Sequence, residues 1–215
     1  MMRCVAGTGG GMFVREPQTE SLTISYDLPT LVLFEIIDED LHAFSRQVEF
    51  ADANFSTYSV TLLRLYLFIC SEIDVVAKLL CQRIGTTFAN RPNMDDYRQS
   101  LKAQYPNLSG LKITIRPMAL AIFPWQAWDQ NKNPDWWQKH QGVKHQRDQH
   151  FADANLENVL HAAAGLLVFL VYWHKPELWT HKVNPTFQIF EIEGVGRGID
   201  LVPTYELKDF GKSTS

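Results

Sequence analysis

Hydrophobic residues near the start of this chain recur every three or four positions, which is the spacing of one face of an α-helix. Between residues 29 and 51 the apolar residues at this spacing are Leu33, Ile36, Ile37, Leu41, Phe44 and Val48. Pro29 suits a first helical turn, where a missing N–H group costs no hydrogen bond. The pattern predicts a first long helix over residues 29–51.

A second helix is predicted to begin at an N-cap formed by Ser56 or Thr57. It runs through Ile84, and Gly85 follows as a helix-ending residue. The first half of this segment is apolar nearly all round. Such a helix usually lies at the centre of a fold, so we expect it to be central here.

The middle of the chain predicts shorter elements. A polar helix over residues 93–105 ends before Pro106, and residues 112–116 alternate like a brief strand. Residues 118–128 are apolar without a regular period and contain Pro124. A buried loop and a broken helix therefore both stay open for that segment.

Near the C-terminus, residues 186–193 and 199–207 alternate weakly around a Gly-rich link at 194–198. This arrangement predicts a β-hairpin, with Pro203 placing one strand at an edge. The G-x-G-x-G spacing of the link is followed by no helix, so it indicates a turn and not a nucleotide-binding loop.

These elements divide the chain into three parts. Residues 1–27 contain a glycine cluster without a sustained period and are expected to form a flexible leader. Residues 28–180 form a mainly α-helical domain, and residues 181–215 form a β-hairpin appendage and tail. The predicted fold class is therefore mainly α, a helical bundle with a small C-terminal β-hairpin.

Composition narrows the range of functions. The formal net charge is −4, so any surface for nucleic acid must be local. The three cysteines, Cys4, Cys70 and Cys81, lack metal-ligand spacing and are expected to be reduced thiols of a cytoplasmic protein. The apolar run at 60–80 is interrupted by charges and the run at 162–173 is short, so we expect no membrane span.

Most of the candidate chemistry lies in residues 134–173. Asn133 can cap a helix there, and Pro134 suits its first position. Gly142 is a candidate kink, and from Val143 the helix is predicted to run unbroken to about Trp173. Its buried stripe is formed by Leu156, Val159, Leu160, Ala163, Leu167 and Leu170.

The phase of this predicted helix orients its polar residues. His145 lies eleven positions before Leu156, a difference of about 20°, so it is expected to point inward. Asp148 is expected on the flank of the same face, beside Asn155. Arg147 falls about 180° from Leu156 and is expected to face solvent or a partner subunit.

The polar half of the segment carries a local positive patch suited to phosphate. It consists of Lys139, His140, Lys144, His145, Arg147 and His150, opposed by Asp148. Trp136 and Trp137 next to it are either stacking platforms for bases or core anchors. The histidines step by five around the helix, so no metal site or cofactor is expected. Imidazole and guanidinium together can cleave RNA without a metal.

The segment WWQKHQGVKHQRDQHFADANLENVLHAAAGLLVFLVYW, residues 136–173, resembles the last long helix of HEPN-like proteins. ICSEIDVVAKLL, residues 69–80, resembles their earlier helix with an acidic residue. The likeness covers about residues 30–175. It implies a four- to five-helix bundle, frequent dimers, and roles in toxin–antitoxin, phage-defence and RNA-processing systems.

Active members of that family resemble one another in an Arg, a polar residue, and a His four to six positions further on. Here Asp148 follows Arg147, but the next histidine is His150, and residues 152–154 hold no histidine. The resemblance then implies catalysis by Lys144, His145, Arg147 and His150, with Glu72 as an acidic partner. The implied substrate-binding residues are Lys139, His140, Trp136, Trp137, Asp148 and Asn155.

Three hypotheses follow. The first is a metal-independent endoribonuclease of a toxin–antitoxin or phage-defence system, with a site composed across a homodimer. The second is a non-catalytic HEPN-like module that binds RNA, a nucleotide or a protein partner. The third is a purely structural bundle in which His145 is satisfied by Asp148 or a backbone carbonyl.

Overall fold

Six α-helices and three short strands make up the part of the chain that the computed structural model describes, residues 28–174 and 187–192. The helices are α1 (Leu28–Ser45), α2 (Val60–Arg83), α3 (Met94–Gln104), α4 (Asp135–His145), α5 (Arg147–His150) and α6 (Leu156–Trp173). The strands are β1 (Ile113–Ile115), β2 (Leu120–Ile122) and β3 (Phe190–Ile192). The prediction of a mainly α fold is confirmed.

The packing of α2 against α6 is the most extensive helix contact in the described part of the chain. α6 is buried along almost its whole length, with only Glu157 and His161 among its residues more accessible. α6 is long and apolar enough to cross a membrane, but 89% of its length is buried inside the protein. The central place expected for the second helix is confirmed, because α2 buries residues from Leu62 to Cys81.

The N-cap of α2 is Ser59, whose hydroxyl accepts a hydrogen bond from the N–H of Leu62 at 3.1 Å. The predicted caps, Ser56 and Thr57, are wrong because the chain just before α2 pairs with the start of α6. The carbonyl of Thr57 accepts from the N–H of Leu156 at 2.9 Å. This tertiary bond keeps the chain extended until Ser59.

The ends of α1, α2 and α3 agree with the sequence predictions to different degrees. α1 ends at Ser45 instead of residue 51, and the chain then turns so that Phe50 enters the core. α3 agrees with the prediction because Asn93 and Asp96 form a reciprocal capping box. α2 ends as predicted, with Gly85 at φ +78°, a backbone conformation that suits glycine.

A three-stranded antiparallel sheet has the order β2-β1-β3. Its middle strand, β1, confirms the strand predicted at 112–116. The segment at 118–128, for which a buried loop and a broken helix were both open, contains the short strand β2 followed by a 3-10 turn. Ile115 lies opposite Leu120 on one side and Phe190 on the other. The strand at 190–192 therefore pairs with β1. The second run of the predicted hairpin, residues 199–207, and the predicted leader, residues 1–27, lie outside the described residues.

The residues that lead into β3 are held by α1 through Asp38, which is only 2% exposed. Its carboxylate accepts hydrogen bonds from the N–H groups of Gln188 at 2.5 Å and Ile189 at 3.0 Å. Phe34 adds an edge-to-face contact with Phe187, with the ring centroids 4.8 Å apart. The sheet is thereby fastened to the helices.

The helix predicted to run unbroken from Val143 to Trp173 is wrong. α4 ends at His145, and Gln146 leaves the helical region at φ −138° and ψ 51°. Residues 147–153 form only the four-residue helix α5 and one 3-10 turn. α6 begins anew because Asn155 caps it, accepting from the N–H of Asn158 at 3.0 Å. Because the helix is interrupted between His145 and Leu156, the prediction that His145 points towards the core is wrong, and its side chain is exposed.

The start of α4 also differs from the prediction. Asn133 does not cap this helix, and Pro134 lies just before it. The Asn133 side chain binds towards α3 instead, since it accepts from Arg98 at 2.9 Å and donates to Asp95 at 3.0 Å. These bonds draw the beginnings of α3 and α4 together.

Candidate functional site

A groove of about 680 Å³ opens between α2, α4 and the N-terminal end of α3. This volume lies within the range of roughly 300–1,000 Å³ that is usual for small-molecule sites. α2 contributes Leu67, Cys70, Ser71 and Asp74, and the end of the α2–α3 loop together with the first residues of α3 contributes residues 91–95. Asn133 and α4 contribute the remainder, Trp137, His140, Gln141, Lys144 and His145.

The lining residues separate by burial into two groups. Cys70, Met94, Trp137 and His140 are buried and form what we call the floor of the groove. Arg91, Lys144 and His145 are exposed and form what we call the basic rim. The groove therefore presents a mostly apolar base with one imidazole, and cationic groups at its opening.

His140 is the polar group of the floor and is only 4% exposed. Its ring lies 5.8 Å from that of Tyr66 and 5.2 Å from that of Trp137, measured between centroids. Burial, followed by the positive charges of Lys144 and His145, lowers the pKa of His140 to about 4. The imidazole is therefore neutral at physiological pH.

α4 is held against α2 by a buried hydrogen bond in which the Tyr66 hydroxyl donates to the carbonyl of Trp136. The Trp136 indole donates to the carbonyl of Pro124 at 3.0 Å and packs against Gly165. A Cβ atom at Gly165 would lie 2.9 Å from this indole, so the close approach requires glycine there. Of the two roles open for the tryptophan pair, Trp136 has that of a core anchor, whereas Trp137 lines the groove.

The charges around the groove are unevenly compensated. Asp74 accepts from the Tyr97 hydroxyl at 3.1 Å, and Asp95 pairs with Arg98 at 2.7 Å. Within residues 28–174 and 187–192, Lys144 and Arg91 have no ion-pair partner. Asp74 and Asp95 already accept hydrogen bonds, whereas Lys144 and Arg91 have no carboxylate to donate to, so the rim is suited to an anion.

The N-terminus of α3 lies at the groove but its first amides are occupied. Asn93 accepts from the N–H groups of Asp95 at 2.8 Å and Asp96 at 3.2 Å. Asp96 in turn accepts from the N–H of Asn93 at 2.8 Å. These three N–H groups are therefore not available to an anion, which leaves the side chains of the rim as its main hydrogen-bond donors.

The structure brings four of the predicted site residues to this groove: Trp137, His140, Lys144 and His145. The other predicted residues do not line it: Glu72, Trp136, Lys139, Arg147, Asp148, His150 and Asn155. Glu72 is half-buried on α2, and burial raises the pKa of its carboxyl. Arg147 is exposed, in agreement with its predicted orientation.

The inward pair predicted from His145 and Asp148 is not formed, because both side chains are exposed. A different pair is present nearby. Nδ1 of His150 lies 2.8 Å from a carboxylate oxygen of Asp153, and the imidazole ring packs on Gly142. Asn155, predicted to bind substrate, is instead the N-cap of α6.

Sequence reasoning missed Arg91, Asp74 and the start of α3 as parts of the site. Arg91 lies in the loop between α2 and α3, where no periodic signal marks it. Asn93 was recognisable as a helix start, but not as a neighbour of α4. In the described part of the chain, no group of three or more His, Cys, Asp or Glu side chains is placed to hold a metal ion.

Comparisons with protein-family models, with curated proteins and with solved structures find no match to this chain. The class of protein that can be stated from the fold is therefore a mainly α-helical protein with a small antiparallel sheet.

The low pKa of His140 predicts a pH dependence of folding. The unfolded chain protonates this imidazole near its ordinary pKa of 6.5, whereas the folded protein keeps it neutral down to about 4. The free energy of unfolding should therefore fall by up to about 3 kcal/mol as pH drops through this window. Urea denaturation at several pH values measures this, and His140→Gln should remove the effect.

His145→Gln is the matched control, because His145 is exposed on the same helix and its replacement should leave most of the pH dependence in place. An NMR titration that gives His140 a midpoint between 6 and 7 would contradict the assignment of a buried, neutral ring.

Proposed function

We propose that this protein is a HEPN-like module that binds RNA or a nucleotide through phosphate, and that the groove between α2, α3 and α4 is the binding site. The observation that carries the proposal is the basic rim. Arg91, Lys144 and His145 surround the opening of a groove whose acidic residues already have hydrogen-bond donors.

Electrostatics support an anionic ligand at this place. Asp74 and Asp95 also line the groove, but Lys144 and Arg91 form no ion pair within residues 28–174 and 187–192, so their charges are available to a phosphate. Lysine and arginine contacts to phosphate contribute much of the affinity in nucleic-acid binding, and they make it sensitive to salt. The buried Trp137 offers an aromatic surface beside the rim, where a base can stack.

Both segments that carry the resemblance to HEPN-like proteins contribute residues to the groove, but the second segment, residues 136–173, is divided at Gln146 and is not one long helix. Residues 69–80 lie in α2 and residues 136–145 lie in α4, and both line the same groove. Cys70 and Asp74 come from the first segment, and His140 and Lys144 from the second. A homodimer and a role in a toxin–antitoxin or phage-defence system are further parts of the proposal that rest on this resemblance alone.

Replacement of Lys144 should weaken binding to a short single-stranded RNA. Loss of one charge-assisted contact predicts roughly a tenfold higher Kd at low salt. The slope of log affinity against log salt should become shallower by about 0.7, as expected for one lost phosphate contact on a single strand. Fluorescence anisotropy with wild type and Lys144→Gln at several salt concentrations measures both quantities.

Lys139→Gln is the control, since Lys139 is exposed on the same helix but lies outside the groove. It should change affinity by much less than Lys144→Gln. Equal losses from the two variants would contradict a site in the groove and indicate attraction by overall charge.

A second candidate function is metal-independent RNA cleavage, favoured by the presence of two imidazoles on one groove. The two rings have different surroundings, because His140 is buried and neutral whereas His145 is exposed on the rim. Paired groups of this kind are typical of an acid and a base in catalysis. A bound phosphate would also raise the pKa of His140 and make it a stronger base.

In this reaction His140 accepts the proton of the 2′-hydroxyl, and the 2′-oxygen attacks phosphorus. Lys144 stabilises the added negative charge, and His145 donates a proton to the departing 5′-oxygen. The products are a 2′,3′-cyclic phosphate and a 5′-hydroxyl, so the reaction needs neither a metal nor water in its first step.

If the protein cleaves RNA, it should do so in EDTA, and His145→Ala should reduce the rate by a factor of roughly 10²–10⁴, the usual contribution of a general acid. His145 is exposed, so this variant should fold normally. Arg147→Ala should retain activity because Arg147 does not line the groove. Cleavage of labelled RNA followed by gel electrophoresis tests this, and activity that persists in His145→Ala would exclude this mechanism.

A further inference from the structure

The basic rim depends on the last turn of α4, which would fray if nothing held it. Lys144 and His145 are the two final residues of this helix, and the next residue, Gln146, is no longer helical. The carbonyl of Gly142 accepts from the N–H of Gln146 at 2.7 Å. Helix ends lack half of their backbone hydrogen bonds, so the position of a terminal side chain requires support from outside the helix.

His150 supplies a contact to this turn. Its imidazole lies so close to Gly142 that an added Cβ would be 2.8 Å from the ring Cγ and 2.9 Å from Nδ1. The ring thus fills the space that any other side chain at position 142 would need. Glycine weakens a helix interior, so its presence in α4 is explained by this approach.

The imidazole of His150 is also linked to the core helix α6, through Asp153. Nδ1 of His150 is 2.8 Å from Oδ2 of Asp153. The carbonyl of Asp153 accepts from the Asn158 side chain at 2.8 Å, and Asn158 is buried in the first turns of α6. A continuous series of contacts therefore runs from Gly142 through His150 and Asp153 to α6.

We propose that His150 is a positioning residue, which holds Lys144 and His145 at the groove by clamping the last turn of α4 onto the start of α6. The inference rests on the proposed function, because the rim is the part of the groove that would contact phosphate. His150 itself does not line the groove. It acts on the ligand only through the turn that it supports.

Three variants separate this role from general stability. His150→Ala removes both the ring and the bond to Asp153, and His150→Asn retains an N–H donor close to the position of Nδ1. His161→Ala is the control, since His161 is a partly exposed histidine of α6 that lies away from the groove. The measurements are amide hydrogen exchange at residues 143–146 and Kd for a short single-stranded RNA.

His150→Ala should speed exchange at residues 143–146 by roughly tenfold while the interior of α6 stays protected. It should raise the Kd for RNA roughly threefold or more, a change of the size that is usual for the interaction energy between residues in contact. His150→Asn should restore part of both, and His161→Ala should change neither. Unchanged exchange and affinity in His150→Ala would overturn the proposal.

Gly142→Ala provides an independent arm. In the wild-type background the added methyl group displaces the ring and should weaken RNA binding to a similar extent. In the His150→Ala background the same change should have no further effect, because the ring is gone. If the losses of RNA affinity from Gly142→Ala and His150→Ala add up in the double variant, the proposed role of His150 is wrong. If exchange responds as stated but the wild type binds no RNA, the clamp stands and the proposed function fails.

Discussion

The arrangement of the molecule depends on α2, which packs against the buried helix α6 and also holds α4 through the Tyr66 hydroxyl. α6 is apolar almost all round and therefore needs cover on every side. α2 supplies much of this cover, and it also contacts α4 and α3. The groove exists because one helix serves both the core and the site.

The same bond determines the electrostatics of the groove. The hydroxyl of Tyr66 fixes the first turn of α4, which places His140 in a buried position beside Tyr66 and Trp137. Burial keeps this imidazole uncharged, whereas Lys144 and His145, later in the same helix, are exposed. The charged opening and the neutral floor thus follow from the way in which α4 packs against α2. This combination favours a ligand that carries its negative charge at one end.

Local signals predicted those parts of the fold that local hydrogen bonds determine. α3 was predicted closely because Asn93 and Asp96 cap each other within four residues. The break at Gln146 was missed because no proline marks it and the spacing from His145 to Leu156 matches helical phase. Asn155 carried the relevant signal, since it caps α6. The groove itself brings together three segments that are distant in sequence, so residues such as Arg91 could not be assigned to it from local pattern.

The central claim is that the groove between α2, α3 and α4 holds RNA, and photocrosslinking tests it most directly. A short single-stranded RNA containing 4-thiouridine, irradiated with the protein, transfers a mass label to the residues that it contacts, and mass spectrometry locates them. The account predicts labelled peptides from residues 91–95 and from α4, between Trp137 and His145. Labels confined to the sheet or to α1, with none on these two segments, would contradict it.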